Sequence, residues 1–435
     1  MVALDPRASH GLAGGYVQPA GQAGRQPVSL LLCFEYLISA LIVATYAQGW
    51  AGPLTGWAVD PTKLTLLKIG FLPAYGMTAL LFVMYPLRSL WAVARTPVIY
   101  GLVILAAVSV LWSIDGAATQ RRVVALLFTT LAGSVLAARW NMRQLTEIIA
   151  AQFAVYMALS FLFAVAPPHH GIMTELFPGA WRGVWTEKNG LGALMAMGAL
   201  SCLAAAILAA PRRMFWLLMF AGCVALLLLS RSKTSLASLV LGVAVIAFVG
   251  LVRRGPVMAV VATWLGVAGA LTLGGILVLA PQLIFDLLGK DATLTGRTEI
   301  WTAAMRQGML NNPNLGFGFG VLWDHREAYD PASWIAHDAG FVAGHAHNGW
   351  LEVWLSLGFV GLGVWTLAYL GNLLRMVGSI YTTSMAYSAL PFFLVFSVFS
   401  ITEVSVIDYH DISWTIYVAF AAMLSSRHPA EEAAR

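Results

Sequence analysis

Polar and titratable side chains gather just ahead of a long apolar run that begins near residue 350. The stretch GHAHNGWLE contains His345, His347, Asn348 and Glu352. The ordinary pKa of histidine is about 6.5, so His347 could accept a proton from a reacting hydroxyl. Asn348 and Glu352 lie four residues apart, on one face of a helix, where they could support the histidine. A simpler interpretation is that Asn348 caps the helix and that the histidines lie at the membrane surface.

Three other segments combine cations with the ends of apolar runs. Arg297 lies in TGRTEIW, Arg231 and Lys233 lie in SRSKTS, and Arg182 and Asn189 lie in WRGVWTEKN. A guanidinium group binds phosphate oxygens in bidentate fashion and keeps its charge, so it can also stabilise a phosphate that leaves. If these cations converge beside the histidine, they favour binding and cleavage of a lipid diphosphate.

Each of these residues also has a structural explanation. Arg297 would lie in the first turn of a helix, where the macrodipole disfavours a cation by a few tenths to about 1 kcal/mol, and it could pair with Glu299, Asp291 or another loop acid. Arg231 could extend towards lipid head groups. Asn189 could do no more than begin a helix. The residues alone leave these alternatives open.

The composition assigns the chain to the membrane. Hydrophobic residues make up 59% of its 435 residues and charged residues 10%, and the mean hydropathy is +0.78. About twelve apolar stretches approach the roughly 20 residues that cross a bilayer. They lie at roughly 28–48, 66–86, 98–114, 121–138, 145–166, 189–210, 214–230, 233–252, 257–280, 349–372, 386–403 and 410–425. We predict an all-α polytopic membrane protein whose first span is retained, because no distinct cleavage site follows it.

Basic residues predict the orientation of these spans. They recur in five alternate connections, which contain Arg88 and Arg95, Arg139 and Arg143, Arg212 and Arg213, Arg253 and Arg254, and Arg375. Such connections stay in the cytoplasm. We therefore predict cytoplasmic tails at 1–27 and 427–435, one transmembrane domain at 28–426 and a long outward loop at about 281–348. The net charge is +5, but the basic residues are scattered in pairs and form no contiguous patch that would bind a nucleic acid.

The outward loop is about 68 residues long, and long loops in compact proteins tend to be functional. After the turn signal Thr295-Gly296, its first half has the apolar spacing of a helix. The second half, NNPNLGFGFGVLW, is rich in turn residues. Its Gly316, Gly318 and Gly320 indicate close packing of the backbone, because no strand precedes them and no GK[ST] follows as in a nucleotide loop.

The ordered set of motifs resembles a known family. WRGVWTEKN, SRSKTS, TGRTEIW and HAHNGWLEVWLSLGFVG, together with VLWSIDGAATQRR at 110–122, resemble the O-antigen ligase and Wzy polysaccharide polymerase superfamily of bacterial inner membranes, and most of all its ExoQ-type exopolysaccharide polymerases. The resemblance extends from about residue 100 to 365. It implies a GT-C-like fold with short helices in a periplasmic loop. It also implies a glycosyltransferase that moves a glycan from undecaprenyl diphosphate to an acceptor hydroxyl, without a cofactor or metal.

The resemblance implies roles for individual residues and partners. Arg231 and Arg297 match the diphosphate-binding arginines and His347 the essential histidine, so we predict these three as catalytic. The predicted substrate-binding residues are Arg182, Asn189, Lys233, Asn348 and Glu352. The implied partners are the lipid bilayer, a lipid-linked glycan donor and acceptor, a flippase and a chain-length regulator.

Three alternatives remain. An O-antigen ligase shares this chemistry but transfers the glycan to lipid A core, whereas a polymerase transfers it to another lipid-linked repeat. A metal-dependent hydrolase would need His345 and His347 with a loop residue such as His337 or Asp338. A secondary transporter would need polar groups near mid-membrane, for which Glu35 is the candidate, and an internal repeat, which is not evident in the sequence.

Overall fold

The computed structural model describes residues 29–57, 64–175, 177–280, 296–324, 327 and 329–425. The predicted tails at 1–27 and 427–435, and residues 281–295 of the outward loop, lie outside the described residues. Seventeen α-helices make up most of the described part of the chain. The first nine are α1 Leu30–Ala47, α2 Ala51–Thr55, α3 Leu64–Ile69, α4 Leu72–Met84, α5 Pro86–Ala94, α6 Pro97–Val108, α7 Gly116–Arg139, α8 Met142–Val165 and α9 Lys188–Leu208. The others are α10 Arg213–Ser230, α11 Lys233–Val252, α12 Pro256–Leu279, α13 Arg297–Asn311, α14 Pro331–Ala339, α15 Gly349–Thr382, α16 Ala386–Thr402 and α17 Ile412–Leu424.

Nine spans in the described part of the chain are long and apolar enough to cross a membrane, and a bent pair makes a tenth. The bent pair is α5 with α6 and its extension to Leu111, which meet at 87°. Pro97 begins the second helix of this pair, and a residue before proline is disfavoured in the helical conformation. α16 and α17 are shorter apolar helices of 17 and 13 residues. The predicted all-α polytopic fold is confirmed, but three of the twelve predicted stretches are bent or short.

The helices pack around an aromatic centre contributed by α15, α16 and α17. The ring of Trp365 lies 6.1 Å from that of Trp414 and 5.6 Å from that of Tyr417, between centroids. All three side chains are fully buried. α9 packs against α8, α10, α11 and α16, so the helices that reach the candidate site share one rigid core.

Glu35, the candidate for a mid-membrane carboxylate, is paired near one end of the bundle. It lies in the second turn of α1, and its carboxylate accepts a hydrogen bond of 2.8 Å from Nε of Arg139, the last residue of α7. The hydroxyl of Tyr85 donates to the same carboxylate. This carboxylate therefore forms a buried ion pair with an arginine at a helix end.

α15 is interrupted at Gly358, where φ is 65°, and the loop before it fills the break. The N–H of Phe317 donates to the carbonyl of Leu355 at 2.8 Å, and the N–H of Phe359 donates to the carbonyl of Pro313 at 2.9 Å. Backbone groups freed by the interruption are therefore bonded inside the protein, as buried backbone polar groups require.

The outward loop is docked on the bundle through its own small core. α13 begins at Arg297, which confirms the helix predicted in the first half of the loop. The buried side chains of this core are Ala303, Ala304, Phe317, Leu322, Ile335, Trp354 and Leu355. Arg122, near the start of α7, also forms an ion pair with Asp324 of the loop. Helix α13 is thus held in a fixed position over the ends of the membrane helices.

Candidate functional site

A cavity of about 630 Å³ opens where the outward loop meets α9, α11 and α16. Its charged lining residues are Glu187, Lys188, Arg231, Lys233, Arg297 and Glu403, and other polar groups come from Asn189, His345 and His347. Four cations face two carboxylates, so the cavity favours an anion. Phe177, Ala193 and Phe399 supply apolar lining, which suits a ligand with a lipid tail.

The connection between α10 and α11 brings Arg231 and Lys233 to the cavity. Arg231 adopts a left-handed conformation with φ of 54° as α10 ends, and Lys233 is the first residue of α11. Helix α9 approaches this connection closely, since a Cβ on Gly192 would lie 2.6 Å from the Cβ of Ser232. The same approach sets Asn189, in the first turn of α9, beside the cavity.

Arg297 reaches the cavity from the first turn of α13. Its Nη1 donates to the carbonyl of Thr402 at 2.7 Å, and its Nη2 lies 3.5 Å from Oε1 of Glu403. The macrodipole of α13 disfavours a cation at this end, and the acid that offsets it comes from the end of α16 and not from the neighbouring Glu299. The Arg297 side chain is 19% exposed, so it is held in place and still accessible.

His347 meets the same carboxylate from the other side. Its Nδ1 lies 3.4 Å from Oε2 of Glu403, and its backbone N–H donates to Nδ1 of His345 at 3.3 Å. Burial lowers the pKa of His345 to about 4, and the charges of His347 and Arg297 add to this. Burial raises the pKa of Glu403, but the His347 hydrogen bond and the Arg297 charge outweigh it, so its pKa lies below the ordinary value. At neutral pH the site therefore holds a neutral His345 and an ionised Glu403.

Glu352 holds the peptide that precedes His347. Its Oε1 accepts a hydrogen bond of 2.6 Å from the N–H of Ala346, and Nε1 of Trp323 donates to the same carboxylate at 2.8 and 3.0 Å. The carbonyl of Ala346 accepts a 2.7 Å hydrogen bond from Nε1 of Trp301. His347 itself has φ of 50°, a conformation that non-glycine residues adopt only when the surroundings impose it. The N–H and the carbonyl of Ala346 are thus both hydrogen-bonded, and these two bonds fix the backbone just before His347.

Three of the predicted substrate-binding residues lie outside the cavity lining. Asn348 caps α15, where its side chain accepts from the backbone N–H groups of Trp350 and Leu351. Arg182 donates from Nε to the carbonyl of His170 at 2.8 Å. Burial lowers the pKa of Arg182, and the charge of Glu175 acts in the opposite direction. Glu352 contacts the loop backbone as described above. The structure therefore brings together Asn189, Arg231, Lys233, Arg297 and His347.

Sequence reasoning missed Glu403, the carboxylate between Arg297 and His347. A signal was available, because the short connection EVSVIDYHD between the last two apolar runs contains Glu403, Asp408, His410 and Asp411. Such a density of titratable groups at the end of a membrane helix is typical of a functional site.

The residues of the metal alternative are divided between two places. His345 and His347 line the cavity, whereas His337 and Asp338 line a separate cleft between α13 and α14. Within the described ranges, no group of three or more histidine, cysteine, aspartate or glutamate side chains is arranged to hold a metal ion.

Comparison with known proteins agrees with the motifs. Residues 217–366 match the family model described as O-antigen ligase. The Exopolysaccharide production protein ExoQ of Rhizobium meliloti (strain 1021) is 25% identical over 299 residues, which cover 64% of this chain. The match spans 66% of that relative, just under two thirds of its length. The predicted resemblance to the O-antigen ligase and ExoQ-type superfamily is confirmed.

The region matched by the family model contains part of the cavity lining. Arg231, Lys233, Arg297 and His347 lie within residues 217–366. Asn189 precedes this region, and Glu403 follows it. The cavity is therefore completed by α9 and by the end of α16.

Proposed function

We propose that this chain is a glycosyltransferase that polymerises undecaprenyl-diphosphate-linked oligosaccharide repeats into exopolysaccharide at the periplasmic face of the inner membrane. The observation that carries the proposal is that Arg231, Arg297 and His347, from three separate segments, line one cavity. The match to the O-antigen ligase model and the similarity to ExoQ support a membrane protein that acts on polysaccharide.

The cations would bind the diphosphate of the donor. In the transfer, the bond between the anomeric carbon and the phosphate oxygen breaks, and its electron pair leaves with the diphosphate. Arg231 and Arg297 can meet this charge with several N–H donors each, and Lys233 adds a point charge. Groups that are already oriented towards developing charge typically supply the largest single share of catalysis.

His347 would receive the proton of the acceptor hydroxyl. The hydroxyl oxygen forms the new bond to the anomeric carbon while its proton passes to Nε2 of His347. Glu403, 3.4 Å from Nδ1, would orient the ring and stabilise the imidazolium that forms, which is the role of the third member in a nucleophile–base–acid arrangement. Such a base typically contributes about 10²- to 10⁴-fold in rate.

The position of the cavity favours a transferase over a transporter. The cavity is bordered by the beginnings of α9 and α11, the beginning of α13 and the end of α16. These termini belong to one end of the helix bundle, on the side of the outward loop. A transporter requires polar sites near mid-membrane, and Glu35, the candidate for that role, is paired with Arg139.

A strain that carries His347→Ala tests the proposal. We expect it to accumulate single repeat units on undecaprenyl diphosphate and to secrete no high-mass polymer, because the first elongation step lacks its base. The lipid-linked glycans can be extracted and sized by mass spectrometry. His170→Ala provides a control, because this exposed histidine lies outside the cavity lining.

The products also separate the polymerase from the ligase. Full-length polymer on the lipid carrier, with lipid A core left bare, would reject polymerisation in favour of O-antigen ligation. Normal polymer in the His347→Ala strain would reject both activities.

A further inference from the structure

The outward loop contains a second cleft, of about 620 Å³, between α13 and α14. It is lined by Gln307, Asn311, Ser333, Trp334, His337 and Asp338. Every lining side chain can donate or accept hydrogen bonds, and Trp334 also offers the largest apolar ring of the set. These residues are separate from those that line the first cavity.

This lining has the chemistry that recognises a sugar. A pyranose ring has a face of C–H groups, which packs against an aromatic ring, and a rim of hydroxyls, which both donate and accept hydrogen bonds. Trp334 offers a half-buried indole, a large apolar surface with low conformational freedom. Amide, carboxylate and hydroxyl groups around it match the hydroxyl rim.

The cleft is held in shape by hydrogen bonds between its own walls. Nε2 of Gln307 donates to Oδ2 of Asp338 at 2.6 Å, which joins α13 to α14, and Nδ2 of Asn311 donates to the carbonyl of Gln307 at 2.8 Å. Beneath them, Ala304 and Ile335 are fully buried between the two helices. A cleft with fixed walls loses little freedom when a ligand binds.

Helix α13 connects this cleft to the catalytic cavity. Gln307 and Asn311 follow Arg297 by ten and fourteen residues, which corresponds to about 15 and about 21 Å along a helix. At about 100° per residue, these separations bring Gln307 and Asn311 within about 80° and 40° of Arg297 around the helix axis. The cavity and the cleft therefore lie on the same side of one rigid element, at a separation that an oligosaccharide of several sugars can bridge.

We propose that the cleft lined by Trp334, Gln307 and Asp338 is a glycan-binding subsite that holds the distal sugars of a lipid-linked oligosaccharide while its diphosphate lies beside Arg297. The proposal rests on the proposed function, because it identifies the glycan of that same reaction as the ligand. It assigns the cleft to selection of glycan length and type, and it leaves bond cleavage to the first cavity.

Binding and transfer by the purified full-length chain test the subsite separately. The probe is the oligosaccharide released by mild acid from the lipid-linked repeats of the same cells, titrated by calorimetry. We expect Trp334→Ala to raise its Kd at least tenfold, which corresponds to about 1.4 kcal/mol. Trp334→Phe should keep most of the affinity because it keeps a ring. Tyr329→Ala is the matched control, since Tyr329 is 89% exposed on the same loop and lies outside the cleft.

Transfer assays distinguish the subsite from the catalytic cavity. With a lipid diphosphate that carries one sugar as the donor, Trp334→Ala should transfer like the wild type. With the full lipid-linked repeat as the donor, the KM of Trp334→Ala for that donor should rise at least tenfold while kcat stays unchanged. Unchanged oligosaccharide affinity in Trp334→Ala, or no measurable binding by the wild type, would overturn the subsite. Oligosaccharide binding that requires Trp334, in a protein that transfers neither donor, would support the subsite and reject the proposed transferase.

Discussion

At the scale of a single residue, the position of the Arg297 side chain depends on its planar guanidinium group, which has more than one nitrogen donor. One nitrogen binds the carbonyl of Thr402 and another faces Glu403, so its position is set by two groups at the end of α16. A lysine has one nitrogen on a flexible chain and cannot reproduce both contacts while it binds an anion.

We expect Arg297→Ala to lower the proposed transfer by about 10²- to 10³-fold, the loss typical for one group that stabilises a leaving anion. Arg297→Lys should recover little of this activity. The assay measures polymer formed in membranes that contain equal amounts of protein. Arg254→Ala is the matched control, because Arg254 is exposed and lies in a basic connection far along the chain from the cavity lining.

A chelator should leave the activity of the wild type unchanged if the arginines alone stabilise the diphosphate. Loss of activity with EDTA, followed by recovery with a divalent metal, would show that this explanation of the charge is wrong. Full activity of Arg297→Lys would contradict the requirement for two directed contacts.

His345 should make the stability of the protein depend on pH. Its pKa is about 4 in the folded chain and 6.5 ordinarily, so between these values the unfolded chain binds the additional proton and stability falls as the pH falls. The unfolding midpoint of the wild type should therefore decrease towards that of His345→Asn from about pH 6.5 to about pH 4. Thermal unfolding in detergent measures this, with His170→Asn as control because His170 is exposed and lies outside the cavity lining. A difference in unfolding midpoint between the wild type and His345→Asn that stays the same at every pH would contradict the prediction.

Residue chemistry predicted only part of the candidate site. Arg231, Arg297 and His347 could be identified because polar residues with distinct chemistry stand out beside apolar runs. Glu403 could not be connected to His347 from spacing, because the contact joins residues that are 56 positions apart. Arg182 was expected to converge with the other arginines, but the local fold of its loop directs it to the carbonyl of His170.

At the scale of elements, the cavity depends on how the outward loop is attached to the interrupted helix α15. The loop reaches so close to this helix that a Cβ on Gly316 would lie 2.6 Å from the carbonyl oxygen of Leu355. Gly316 has φ of 69°, which glycine adopts at little cost. The prediction of close backbone packing is confirmed at Gly316, whereas the break at Gly358 left no signal in hydropathy.

We expect Gly316→Ala to destabilise the protein, because the new methyl group meets backbone atoms and the left-handed conformation disfavours alanine. The unfolding midpoint and the amount of protein in the membrane should both decrease. Gly363→Ala is the control, since a Cβ there would have no atom within 4 Å and alanine favours a helix by about 1 kcal/mol over glycine. Equal stability of the two variants would show that the loop can move away from α15.

At the scale of the whole molecule, every apolar stretch predicted from hydropathy contains a helix. Hydropathy could not predict the lengths of these helices or where they bend. Hydropathy predicts helices well in membrane proteins, because each backbone polar group in the lipid must form its hydrogen bond within its own segment. The bend between α5 and α6 lies at Pro97, which is a signal of residue type and not of hydropathy, and α16 and α17 have only 17 and 13 residues. Hydropathy does not contain that information.

The two ends of α7 contact different parts of the chain. Arg122, near the start of α7, pairs with Asp324 of the long loop, and Arg139, at its end, pairs with Glu35 of α1. Arg122 and Arg139 are 17 residues apart in α7, which corresponds to about 26 Å along the helix, close to the roughly 30 Å of a bilayer's hydrocarbon core. The basic connection that follows Arg139 and the long loop therefore lie at opposite ends of α7.

We expect reporter fusions after Arg139 and after Arg254 to indicate the cytoplasm, because basic connections are retained there. A fusion near Tyr329, in the loop that Arg122 contacts, should indicate the periplasm. Paired alkaline phosphatase and β-galactosidase fusions measure the two outcomes, and the Arg139 and Arg254 sites serve as internal controls for one another. A cytoplasmic signal at Tyr329 would place the cavity on the cytoplasmic side, where the long loop could not meet a periplasmic lipid-linked glycan, and the proposed polymerase would be rejected together with its site.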